Sequence, residues 1–140
     1  MMISTKGRYA LRVLVDIAQN QSEGNVRLKD TANRQEISEK YLEAIVKELV
    51  QGKILKSVHG RGGGYRLNQA ADQINLWDVL TLAEGGLAPV ACLENKDYRC
   101  PRKENCPTLP LWKGLGQTVR AYLSQFTLQD LIDGTIDSDL

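Results

Sequence analysis

Cys92, Cys100 and Cys106 are the chain's three cysteines and fall within fifteen consecutive positions, seven residues separating the first pair and five the second. An odd, clustered set in a chain that shows no export signal makes a poor disulfide framework and points instead to a metal site. Thiolates are the usual protein ligands of iron-sulfur clusters, and one flexible loop can gather three of them around a single cluster. Zinc held by the same thiolates is the competing reading, although these gaps exceed the roughly two to four residues usual within a zinc pair. Catalysis has little support: His59 is the one histidine, and the chain carries neither a nucleophile motif nor a phosphate loop followed by Lys-Ser or Lys-Thr.

A second group of residues has the chemistry of nucleic-acid contact. The run His59-Gly60-Arg61-Gly62-Gly63-Gly64 sets one guanidinium among four glycines. Backbone there can approach a duplex closely while Arg61 enters the minor groove or pairs with a phosphate. Lys40 and Tyr41 can reach phosphates or base edges, and Glu43 can accept from a cytosine amino group. A solvated helix-face carboxylate is the plainer reading of Glu43. Arg8, Lys29 and Ser38 complete a set able to face phosphates. Charge is divided to match. Residues 1–67 hold 12 Lys/Arg against 7 Asp/Glu and the remainder 6 against 10, so a net +1 conceals about +5 in front and −4 behind. A basic half joined to an acidic half fits a nucleic-acid-binding module attached to something that does not touch phosphate.

The elements that must position these groups follow from spacing. At 140 residues, 42% hydrophobic and 25% charged, the chain suits one folded domain, or a compact DNA-binding unit with a dimerisation arm. Ala10, Val13, Leu14 and Ile17 recur at helical spacing and predict a helix to about Gln19, with Ser4 or Thr5 as its cap. The alternating Val26-Arg27-Leu28 leads into a short polar helix over Lys29 to Gln35. Ser38 is placed to cap a third helix whose apolar face is Leu42, Ile45, Val46 and Leu49, and Gly52 is expected to end it with a positive φ. Ile54 to Val58 and Tyr65 to Leu67 flank the glycines as a hairpin. Two short helices, a tight turn and then a hairpin read as a winged helix-turn-helix.

Beyond the wing, Asn75 to Ala83 predicts another short helix. Residues 85 to 110 hold two early glycines, all four prolines and all three cysteines, a long loop that calls for an internal staple such as a metal centre. Trp112, Leu115, Val119, Tyr122 and Phe126 form a helical seam suited to a second copy of the chain or to packing on the first helix. The expected fold is therefore mainly α with a small β-hairpin wing, a winged helix-turn-helix plus a long C-terminal dimerisation helix. Residues 1–70 form the DNA-binding unit, with the first helix also packing in the dimer. Residues 71–140 carry a cluster-binding loop at about 90–110 and the dimerisation helix at about 110–126. No apolar run approaches the length of a membrane span, and the start is broken by Arg8, Arg12 and Asp16, so a cytoplasmic protein without a membrane partner is expected.

The segment QEISEKYLEAIVKELVQGKILKSVHGRGGGYRL, with the opening STKGRYALRVLVDIA, resembles the IscR, NsrR and CymR family of bacterial winged-helix regulators. The likeness spans most of the chain. Its specific parts are Ser-Glu-Lys-Tyr-Leu-Glu at the recognition helix, the Gly-x-Gly-Gly-Gly-Tyr wing, and a cysteine cluster followed by Leu111-Trp112. The resemblance implies a homodimer bound to a double-stranded operator, and DNA contacts from Arg8, Lys29, Ser38, Lys40, Tyr41, Glu43, His59 and Arg61. His59 stands where IscR-type members have Arg. It further implies that Cys92, Cys100 and Cys106 hold an iron-sulfur cluster, 2Fe-2S or alternatively 4Fe-4S, whose state shifts the population of DNA-binding conformations and reports on cluster supply.

Two departures leave the fourth ligand open. IscR-type members carry His three residues after the last cysteine, where this chain has Leu109, and NsrR-type members use an N-terminal aspartate, where it has Arg8. Glu94, Asp97, Glu104, a small molecule or a partner-chain group could serve. Resemblance to NsrR would make nitric oxide the signal. Resemblance to CymR, whose members generally lack the full cysteine set, would make the chain a regulator of cysteine metabolism that senses a partner enzyme without a cluster.

Overall fold

The computed structural model describes residues 3–94, 97 and 100–137. Three helices come first: α1 (Thr5–Asn20), α2 (Leu28–Gln35) and α3 (Glu39–Gln51). The hairpin of β1 (Leu55–Val58) and β2 (Gly64–Leu67) follows, then α4 (Leu76–Glu84), a single turn α5 (Ala91–Glu94), α6 (Leu109–Ser124) and α7 (Leu128–Asp133). This is the mainly helical, winged helix-turn-helix architecture expected.

The apolar stripe of α1 makes the centre of the core: Ala10, Val13 and Leu14 are fully buried, with Ile17 beside them. Leu42, Ile45, Val46 and Leu49 of α3 and Val79 of α4 close over it, each helix burying its 3.6-spaced side. Ser4 stands at the N-cap of α1 but makes no cap bond with its own helix. Its hydroxyl and backbone N–H turn instead to Glu84, the last residue of α4.

Between α2 and α3 the chain turns through Glu36, held left-handed at φ 54°, and the buried Ile37. Ser38 then caps α3, its Oγ accepting from the Tyr41 N–H at 3.3 Å. The end of α3 differs from expectation. Gly52 has φ −80°, and the left-handed residue is Lys53 at 61°. Gly52 instead leaves room for the Leu82 side chain of α4, which a Cβ there would displace.

β1 and β2 pair antiparallel, Leu55 opposite Leu67 and Val58 opposite Gly64. Val26 adds a rung, exchanging backbone hydrogen bonds with Tyr65 at 2.8 and 2.7 Å. Gly64, at φ 146°, lies against the Val26 backbone, so its conformation and its lack of a side chain are both needed. Asn25 donates to the Gly62 carbonyl at 3.1 Å and so ties the wing turn to the loop before α2.

Asn75 caps α4 by accepting from the Trp77 N–H at 2.9 Å. α7, absent from the expectations, packs on α1 and buries Leu128 completely. Leu76 N–H to Phe126 O and Leu128 N–H to Ile74 O fasten this returning segment beside the start of α4. Helix α6 packs on α4 and has no fully buried residue. Within its seam Trp112, Val119 and Phe126 are half-buried, whereas Leu115 and Tyr122 stay exposed, as does Leu111.

Candidate nucleic-acid interface and cysteine loop

All eight residues expected at a DNA face lie at the surface. Arg8 is exposed on the first turns of α1, where its Nη2 donates to Thr5 Oγ1 at 3.1 Å. Lys29 starts α2. Ser38, Lys40, Tyr41 and Glu43 cluster at the exposed N-terminal end of α3, and His59 and Arg61 project from the wing turn. The N-terminus of α3 is the end a recognition helix directs at base edges, and the helix dipole makes it favourable for phosphate.

One part of this surface was not anticipated. Tyr9 of α1 meets Tyr41 of α3 edge to face, ring centroids 5.7 Å apart, and the Arg12 guanidinium lies over Tyr9 at 5.2 Å. Arg12 also donates to Gln35, through Nε to Oε1 at 3.1 Å and through Nη2 to the carbonyl at the end of α2. Arg8 and Arg12, spaced four apart on one helix, were the legible signal, but the aromatic contact joining α1 to α3 spans thirty-two residues.

Beneath this face lies a buried carboxylate. Asp16, 3% exposed, accepts from Thr31 Oγ1 at 2.8 Å, from Arg34 Nε and Nη2 at 2.9 and 2.8 Å, and from Gln35 Nε2 at 3.2 Å. Burial pushes its pKa up, but the hydrogen bonds of Arg34, Thr31 and Gln35 and the guanidinium charge outweigh this and hold the carboxyl below the usual range. The same contact pushes the Arg34 pKa up. Every lone pair of a buried charge that finds a donor reduces its desolvation cost, so the network locks α2 against α1 in one arrangement.

The cysteine loop is built differently. Cys92 sits on α5, Cys100 begins a turn, and Cys106 lies just before α6; all three are half-buried, free thiols. Cys106 Sγ is 3.4 Å from Thr108 Oγ1. That hydroxyl, the Thr108 and Leu109 N–H groups at the start of α6, and the Arg102 charge hold the Cys106 thiol below its usual range and favour the thiolate. Among the described residues, no three His, Cys, Asp or Glu side chains are gathered closely enough to hold a metal ion. The donor chemistry therefore suits a cluster, while the loop does not draw the three sulfurs together. Leu109 opens α6, and Glu104 is exposed nearby. The Glu94 carboxylate lies over Gly86.

A helix-turn-helix with a glycine wing and exposed basic side chains on one face is the architecture of a DNA-binding transcription regulator. The model of the Rrf2 family, described as iron-dependent transcriptional regulator, matches residues 3–134, and the chain belongs to that family. It is similar to the HTH-type transcriptional regulator IscR of Erwinia tasmaniensis, 36% identical over 133 residues, covering 95% of this chain and 79% of that protein. Among solved structures it is similar to CymR, the global cysteine regulator of B. subtilis, with a TM-score of 0.75 and 34% identity over 98% of this chain and 99% of that one. T. potens IscR superposes with a TM-score of 0.73 at 28% identity, covering 100% and 92%. These relatives are regulators, not enzymes. No helix among the described residues is long and apolar enough to cross a membrane.

Proposed function

We propose that this chain is a cytoplasmic, homodimeric operator-binding regulator whose cysteine loop carries an iron-sulfur cluster, and that the state of the cluster sets operator affinity. The observation that supports it most is the confinement of Cys92, Cys100 and Cys106 to the segment between α4 and α6. Cys92, Cys100 and Cys106 would hold the cluster, which supplies a redox- and oxygen-sensitive centre; Glu94, Asp97, Glu104, a small molecule or a partner-chain group would take the fourth position. A second copy would cover the exposed Leu111, Leu115 and Tyr122 of α6 and set two reading heads about one helical turn apart on a palindrome. In each head Arg8, Lys29 and Ser38 would engage phosphates, Lys40, Tyr41 and Glu43 the major groove, and His59 and Arg61 the groove beside the wing.

Purification without air tests this reading. A brown protein with visible absorption, iron and acid-labile sulfide is expected, together with a dimeric mass in sedimentation. A colourless dimer that binds its operator under all conditions would instead support sensing through a partner protein. That alternative is favoured by the likeness to CymR and by the separation of the thiols.

A further inference from the structure

Glu84 ends α4, and two glycines with positive φ, Gly85 at 74° and Gly86 at 135°, carry the chain from it into the cysteine loop. Its carboxylate does not turn to solvent. Oε1 accepts from the Ser4 N–H at 3.0 Å, the Ser4 hydroxyl at 2.8 Å and the Gly7 N–H at 3.2 Å. The first N–H groups of a helix have no carbonyl partner within it, and a negative charge is favoured at that end by the helix dipole. A side chain seventy-seven residues away thus supplies the cap that Ser4 does not. The approach depends on a buried glycine, since a Cβ at Gly7 would collide with Glu84 Oε1.

The same turn of α1 is held from its other side. Lys6 Nζ lies 2.6 Å from Glu48 Oε1 of α3. Residues 4 to 7 are therefore clasped between the last residue before the cysteine loop and the recognition helix, and Arg8 stands on the next position.

We propose that Glu84 is a positioning residue that transmits displacement of the cysteine loop to the DNA-reading face through the first turn of α1. A shift of the loop moves the Gly85-Gly86 joint, and with it the carboxylate. The α1 turn follows because three of its donors end on that one oxygen, and α3 follows through Lys6 and Glu48. The inference rests on the reading of the loop as the sensor.

The experiment uses full-length protein isolated without air and a fluorescent duplex selected from random-sequence DNA by the wild type. Operator affinity is measured before and after iron is removed with a chelator, and exchange of the Gly7 amide is followed alongside. Glu84→Ala and Gly7→Ala are expected to keep the visible absorption but to reduce the wild type's affinity change on chelation, on the order of five-fold or more, to near unity, and to expose the backbone amide at position 7. Glu84→Gln keeps an acceptor oxygen and is expected to restore most of the response, whereas Glu84→Met, of similar size but without an acceptor oxygen, is expected to behave like Glu84→Ala; equal rescue by both would mark a merely space-filling role and overturns the proposal. A chelation response in Glu84→Ala equal to the wild type's overturns the proposal, as does a coloured wild type that shows no response. A colourless wild type removes the cluster reading alone. Glu84 is then judged by perturbing the loop directly: alkylation of the cysteines that changes operator affinity in the wild type but not in Glu84→Ala upholds the proposal, and an equal change in both, or none in the wild type, overturns it.

Discussion

The reading head and the cysteine loop are held by different physics. In the first, α1, α2 and α3 share a core of buried aliphatic side chains, and Asp16, the one buried carboxylate among the described residues, is satisfied by three neighbours. In the second, one turn of helix and a run of turns carry half-buried thiols, and the residues on either side of Cys106 are exposed. Regions with few buried apolar contacts open at low free-energy cost, whereas packed cores shift only between discrete arrangements. The contrast is what a regulator needs: a rigid surface to match DNA, and a segment whose shape a ligand can set.

The largest expected effect breaks the comparison at the loop. Cys100→Ala should abolish visible absorption and bound iron while far-ultraviolet circular dichroism and dimer mass stay as in the wild type. An unfolded product would show that the loop belongs to the rigid half after all. Asp16→Ala attacks the other side. It should destabilise the protein by about 3 kcal/mol in urea melts, because Thr31 is left buried without its partner and Arg34 loses its anchor. The same carboxylate gives a pH signature. Its folded pKa lies below the unfolded value near 3.9, so its stabilisation is present above that value and lost as pH falls through the folded one. Acid unfolding below about pH 4 should be shallower in Asp16→Ala than in the wild type.

Smaller effects separate contact from support. Arg61→Ala should weaken operator binding about ten-fold, lower its salt dependence and leave the chromophore unchanged, as measured by anisotropy across a salt series. Ser38→Ala should cost about 1 kcal/mol of stability through loss of the α3 cap, read from the thermal midpoint. An Arg61→Ala protein that loses its colour would mean that wing and loop are not separate regions.

Most of the reading head was legible because its signals are local. Ser38 before an amphipathic run marked the start of α3, and glycines between two short β-prone runs marked the wing. The expectation at Gly52 went astray for a tertiary reason: the glycine is there to admit Leu82, and Lys53 takes the left-handed turn. Tyr9 and Arg12 were missed because their partners, Tyr41 and Gln35, lie on other helices. Helix α7 was missed because six residues carry too little periodicity to announce a helix, and its burial of Leu128 depends on α1.

Periodicity, caps and turn residues act within one or two turns of chain, so composition and order alone determined the order of the longer elements, their apolar faces and the residues with the chemistry of thiolate and phosphate contact. Whether those residues meet was decided only by packing. Glu84 on the first turn of α1, Asp16 among Thr31, Arg34 and Gln35, and the separation of the three thiols each depend on the placement of elements by the shared core. Contacts between residues fifteen to eighty apart have no local spacing to record them.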